Sequence, residues 1–167
     1  AEGRFAAETV ALGEVAQDVS PARARADRIP RLRPAFREGG TVTAANSSSI
    51  SDGAAALVLA PEGAAGAAPL ARILGHATHA QAPALFATAP AGAIRKLLSR
   101  TGWRAGEVDL WEINEAFAVV AMAAMRDLAL PHDRVNVNGG ACALGHPIGA
   151  TGARLLVTLA HALRARG

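Results

Sequence analysis

A single cysteine, Cys142, is the entire thiol content of this 167-residue chain. No disulfide can close within it, and no zinc site built from several thiolates can form. Tyrosine is absent, and aromatic residues make up only 4% of the sequence. Alanine dominates instead, and small side chains let helices lie close to sheets or to one another, which suits a layered α/β protein. No apolar run reaches the roughly 18 residues that a membrane helix requires. The opening AEGRFAAETVAL has no cationic start followed by an apolar core, so it does not read as a signal peptide. These exclusions fit a cytoplasmic protein with no membrane partner. His76, His79, His132 and His161 share no ligand spacing with acidic or thiol groups, so no metal is expected.

Half of the chain is hydrophobic (51%), enough to form a core, and the net charge is +3. The excess is arginine, concentrated at Arg23, Arg25, Arg28, Arg31, Arg33 and Arg37 and again at Arg164 and Arg166. We read it first as a solvated face, with an anionic cofactor such as coenzyme A as the competing use. Nucleic acid is not expected, because aromatics are not interleaved with the basic residues and no nucleic-acid motif is present.

Along the chain, residues 1–40 read as irregular, arginine-rich and partly helical, punctuated by Pro21, Pro30 and Pro34. Residues 41–44 read as a short extended segment, 46–52 as a polar loop rich in local hydrogen bonds, and 54–60 as a buried apolar run. PEGAAGAAP (61–69) has the composition of a linker. From residue 70 the pattern is strand (70–78), helix (90–101), strand (107–113), helix from Asn114 through Leu128, strand (135–137), and a last helix after Pro147. The second helix is expected to bury Val119, Met122, Ala123 and either Met125 or the aliphatic stem of Arg126. The last is expected to bury Ile148, Gly152, Leu155, Leu159 and Leu163. Alternating strands and helices predict an α/β fold. The chain starts without Met and stops at Gly167 after an amphipathic helix, so both ends read as cut.

The densest chemical signal is NVNGGACALGHPIGATGAR, residues 136–154. Its glycines imply tight turns and close backbone approach, yet it is neither a Walker loop nor a dinucleotide fingerprint. His146 lies between Gly145 and Pro147 before a helix, where the positive helix end disfavours imidazolium and a neutral ring is expected. Such a ring can take a proton from a thiol or support a developing oxyanion; it can equally be a histidine satisfied in a turn. Asn114 in EINEAFA reads most simply as a helix N-cap, and otherwise as an amide that orients a water or a carbonyl. Cys142, among Ala141, Ala143 and Leu144, reads as structural.

Three ordered segments together resemble the thiolase family. The run 136–154 is similar to its signature around a catalytic histidine, WEINEAFA (111–118) to its Asn-Glu-Ala-Phe loop, and LRPAFREGGTVTAANSSSISDGAAA (32–56) to its coenzyme A-contacting segment. Ser49 and Ser51 stand where family members usually carry Gly and Asn. The resemblance implies a layered α/β/α fold, here incomplete. Residues 1–62 would end the loop domain and supply the last segment of the N-terminal domain, and 63–167 would form the C-terminal domain without its final strands. It implies that His146 activates a nucleophilic cysteine and contributes to an oxyanion hole, with Asn114 holding the water that completes it. Ser48 would contact the pantetheine arm, with Phe36, Ala44, Ile50, Ala116 and Phe117 lining the coenzyme A channel.

The implied chemistry is a reversible Claisen condensation on coenzyme A thioesters as substrates, with no tightly bound cofactor, in a homodimer or homotetramer. The short-chain acetyltransferase branch is the nearest match. Both catalytic cysteines of the family would lie outside these residues, so the 167 residues alone are expected to be inactive and poorly soluble. The alternative is a non-catalytic thiolase-like protein that binds lipid or acyl-CoA.

Overall fold

The computed structural model describes residues 3–64, 66 and 68–167. After the one-turn helix α1 (Ser20–Arg23) and a 3-10 turn over Ala26–Arg31, the chain runs irregularly to the loop at 41–52. Helix α2 (Ala89–Thr101) begins with Pro90 in its first turn and ends at Gly102, whose φ of 74° supplies the left-handed cap. Helix α3 (Ala118–Leu128) follows Phe117, the short α4 (Ala141–Leu144) follows Gly140, and α5 (Ile148–Arg166) follows Pro147.

The core is small and lies on one side of α3. Ile113, Ala121, Ala124, Leu130 and Val135 are buried together, with Ile94, Trp111, Met125 and Leu128 packed against them. Alanine at 121 and 124 lets α3 sit close to the extended segment that carries Ile113. Two expected faces are therefore corrected. Helix α3 buries Val120, Ala121 and Ala124, while Val119 and Met122 are 46% and 59% exposed. Helix α5 buries Thr151, Thr158 and Ala162, with Leu155 and Leu159 half-buried and Ile148 and Leu163 exposed. Gly152, also expected inside, is exposed.

The expected strands do not pair into a sheet among the described residues. Three single-rung bridges occur instead: Leu12 with Val15, Ser47 with Phe117, and a parallel one between Trp111 and Val135. In the last, the Trp111 N–H donates to the Arg134 carbonyl and the Asn136 N–H to the Trp111 carbonyl, both at 2.8 Å. The ladder stops there because Asn136 turns left-handed, with φ 48°. Residues 54–60 and 70–78 are extended and largely exposed rather than buried, with Val58 at 99%. A strand needs a neighbour about 4.8 Å away, and among the described residues neither stretch forms a bridge with another segment. The second stretch is tied to α2 only by side chains, as Arg100 donates to the His76 carbonyl and Lys96 to that of Thr78.

Ala44, expected to end the extended segment 41–44, instead opens a 3-10 turn over Ala44–Asn46. The Thr43 hydroxyl accepts from the Ala45 N–H, and the Asn46 side chain accepts from the Thr43 N–H at 2.7 Å. The polar loop that follows is closed by its own side chains, as expected; Ser47, for example, donates to the Thr43 carbonyl.

Candidate active site

Two loops meet at the site. The first, residues 113–117, joins the Trp111 segment to α3. Asn114 is not the N-cap expected from its sequence position, since Phe117 takes that place and the helix starts at Ala118. Glu115 likewise lies before the helix rather than in its first turn. The second loop runs from α4 through Gly145 and His146 to Pro147. Gly145 has φ 94°, a conformation L side chains rarely adopt, and it lies against Ser51. The His146 N–H donates to the Ser49 carbonyl at 2.9 Å, which pins this loop to the 46–52 loop.

His146 and Asn114 come together. Nε2 of His146 lies 3.3 Å from Nδ2 of Asn114, and Nδ1 lies 2.7 Å from the Thr151 hydroxyl. That hydroxyl donates to the Pro147 carbonyl at 3.0 Å. With its proton spent there, Thr151 can only accept from His146, so Nδ1 carries the ring proton. Nε2 is then left with its lone pair, facing the Asn114 amide. Asn114 Oδ1 is buried and has no hydrogen-bond partner among the described residues. One ring nitrogen able to accept a proton, beside an amide with an uncommitted oxygen, can handle a thiol proton and then polarise a carbonyl oxygen.

The expected substrate-lining residues are only partly gathered. Phe36 and Phe117 pack edge to face with centroids 5.6 Å apart, and Phe86, which the sequence did not single out, joins Phe117 at 6.1 Å. Phe36 also borders a cavity of about 160 Å³ with Pro34, Arg37 and Thr41. A cavity of about 400 Å³ near the end of α5, lined by Asn138, His161 and Arg166 among others, does not reach His146 or Asn114. Ser48 donates both its N–H and its hydroxyl to the Ala116 carbonyl, at 3.1 and 3.0 Å. Its hydroxyl oxygen can therefore only accept from a ligand. Ala44 and Ile50 are exposed, Ile50 at 98%.

Cys142 is half-buried, and its thiol is turned toward the Glu115 carbonyl at 3.8 Å. Burial pushes its pKa up to about 11, helped by the Glu115 carboxylate. It is not poised as a nucleophile, in keeping with the structural reading. Sequence reasoning missed three supporting residues: Thr151 behind His146, and the Asn136–Glu115 pair behind Asn114. Thr151 was within reach, being one turn into the helix after His146. The other two lie more than twenty residues apart and meet only through the fold. Among the described residues, no cluster of His, Cys, Asp or Glu could hold a metal ion, and no helix is long and apolar enough to cross a membrane.

Residues 67–167 match the thiolase C-terminal domain family and residues 3–63 the thiolase N-terminal domain family. The chain belongs to the thiolase family. It is 48% identical to the acetyl-CoA acetyltransferase of Escherichia coli K12 over 98% of its own length and 45% of that protein's. With a probable acetyl-CoA acetyltransferase of Dictyostelium discoideum it shares 52% identity over 90% of its length and 37% of the relative's.

Two crystal structures superpose closely. The Bacillus anthracis acetyl-CoA acetyltransferase has a TM-score of 0.90 at 42% identity, covering 99% of this chain and 45% of the other. A thiolase from Ascaris suum in complex with coenzyme A has a TM-score of 0.86 at 40% identity, covering 96% and 44%. The chain thus folds as part of a thiolase and spans less than half the length of these relatives.

Proposed function

We propose that these residues supply the oxyanion-stabilising half of an acyl-CoA acyltransferase, an acetyl-CoA C-acetyltransferase, catalysing reversible Claisen condensation and thiolysis of acetyl-CoA and 3-ketoacyl-CoA. The observation that carries this is the 3.3 Å approach of the His146 ring to the Asn114 amide, with the opposite ring nitrogen held by Thr151. Nε2 accepts the proton of an incoming cysteine thiol. The thiolate attacks the thioester carbonyl, a carbon–sulfur bond forms, and the coenzyme A thiolate leaves with the proton returned from Nε2. In the tetrahedral state Nε2–H donates to the oxyanion, and a water held by Asn114 supplies the second donor.

Cys142 does not serve as that thiol, so the nucleophile belongs to polypeptide beyond these residues. On this reading residues 1–62 end the loop domain and the N-terminal domain, and 63–167 form the layered α/β/α C-terminal domain. The boundaries of the two family matches support that division. The extended segments 54–60 and 70–78 would then be strands of that layering. Coenzyme A thioesters are the substrates, with Phe36, Phe117 and the accepting Ser48 oxygen along the pantetheine path.

The test is a chimera in which residues 3–167 replace the matching segment of the Escherichia coli acetyltransferase. We expect acetoacetyl-CoA thiolysis that drops by about 100-fold or more in His146→Ala, and no thiolysis by the isolated 167 residues. A folded chimera that binds coenzyme A without turnover overturns the proposal in favour of a non-catalytic acyl-CoA binder.

A further inference from the structure

We propose that Asn136 is a positioning residue for the Asn114–His146 pair, acting as a clamp on both chain neighbours of Asn114. Its side chain uses one acceptor and two donors. Oδ1 accepts from the Ile113 N–H at 2.8 Å, while Nδ2 donates to the Ile113 carbonyl at 2.9 Å and to Oε1 of Glu115 at 2.8 Å. Asn114 is the single residue between Ile113 and Glu115, so its backbone is fixed from both sides by one amide.

The clamp also reaches the histidine loop. Oε2 of Glu115 accepts from the Cys142 N–H at 3.1 Å, at the start of the short helix that leads through Gly145 to His146. Gly140 closes over the carboxylate: a Cβ there would stand 2.5 Å from the Glu115 carboxyl carbon. One hydrogen-bonded unit therefore sets the position of both partners in the 3.3 Å contact.

The chemistry calls for asparagine. Its φ of 48° lies in the left-handed region that Gly and Asn tolerate best. Asp would keep the backbone and the acceptor but lose both donors and set a second carboxylate against Glu115. Gly would keep only the backbone.

This inference rests on reading the site as an oxyanion hole, and its test separates the two. In the Escherichia coli chimera, Asn136→Asp is expected to lower kcat for acetoacetyl-CoA thiolysis by about 10- to 100-fold, the scale of a misplacement near 1 Å. In an Asn114→Ala background the same substitution is expected to add little, because it acts through Asn114. Hydrogen–deuterium exchange of the 167-residue chain is expected to quicken in residues 112–117 and 140–146 while α2 and α3 stay protected. Should Asn136→Asp not fold in either setting, Glu115→Gln is the second variant. It keeps an acceptor for Asn136 and presents a donor to the Cys142 N–H, so exchange is expected to quicken on the 140–146 side alone.

Equal losses in the wild-type and Asn114→Ala backgrounds, or loosening spread evenly over α2 and α3, would reduce Asn136 to a structural residue and overturn the clamp. If Asn114→Ala and His146→Ala leave kcat unchanged, the oxyanion reading fails, and any catalytic role for Asn136 fails with it.

Discussion

Two residues beside the site carry protonation chemistry that can be measured directly. Glu112 lies two positions before Asn114 with its side chain only 3% exposed, and its ion-pair contact to Arg154 is 3.5 Å long. Burial raises its pKa from the ordinary 4.5 to about 7; Arg154 pulls it down, and Glu115 and Glu8 push it back up. Between those values the folded chain holds a proton that the unfolded chain has released. Stability from this group is fully present below about 4.5 and is lost as pH rises through about 7. The melting temperature of the chain is expected to fall between pH 5 and pH 8, and Glu112→Gln is expected to flatten that fall. A variant as pH-sensitive as the parent would assign the effect to another group. Cys142 provides the second measurement. With its thiol pushed up to about 11, alkylation by iodoacetamide is expected to be slow at pH 8 and to climb steeply only as pH approaches that value. Fast alkylation at pH 8 would reopen Cys142 as a nucleophile.

At the scale of elements, helix existence was legible and helix orientation was not. The Pro90–Gly102 punctuation marks α2 to within a residue, because proline and glycine act through the local backbone. The inward face of α3 misled because residues 118–125 are all apolar, so periodicity alone does not choose between faces. The helix turns Val120, Ala121 and Ala124 inward and leaves Val119 and Met122 outside. Mutations can separate the two readings. Ala124→Leu forces a side chain into a position 1% exposed and is expected to destabilise by about 1–3 kcal/mol. Met122→Lys, on the exposed face, is expected to stay within about 0.5 kcal/mol. Urea denaturation of the two variants checks this, and the reverse ranking would restore the face expected from periodicity. The site was legible in the same divided way. Residue type and setting left His146 open and made Asn114 a helix cap, and only the family resemblance singled out the two together. Thr151, Asn136 and Glu115 went unread, because a hydrogen-bonding side chain in a loop reads as an ordinary loop residue until the fold supplies its partner. The strands failed for a related reason, since pairing is a property of two segments and the alternation at 107–113 specifies only one.

At the scale of the whole molecule, the chain carries more apolar surface than its own core can use. Leu57, Val58, Leu59, Leu70, Ile73 and Leu74 are exposed on two extended stretches, whose backbone groups have few partners within the chain. Unpaired, extended and apolar backbone is a template for pairing with another chain, and a contiguous patch of this kind is rare on a free-standing monomer. In the thiolase relatives, more than half of the chain is polypeptide without a counterpart here, which gives such surface something to pack against. The isolated 167 residues are therefore expected to self-associate through these stretches, with sedimentation velocity showing assemblies that grow with concentration. Val58→Lys combined with Ile73→Lys places a charge on each stretch without touching the core or the site, and is expected to shift the distribution toward monomer at unchanged helical content. If the double variant assembles as readily as the parent, the sticky surface lies elsewhere, and the exposed flank of α5 around Ile148 and Leu156 becomes the face to charge next.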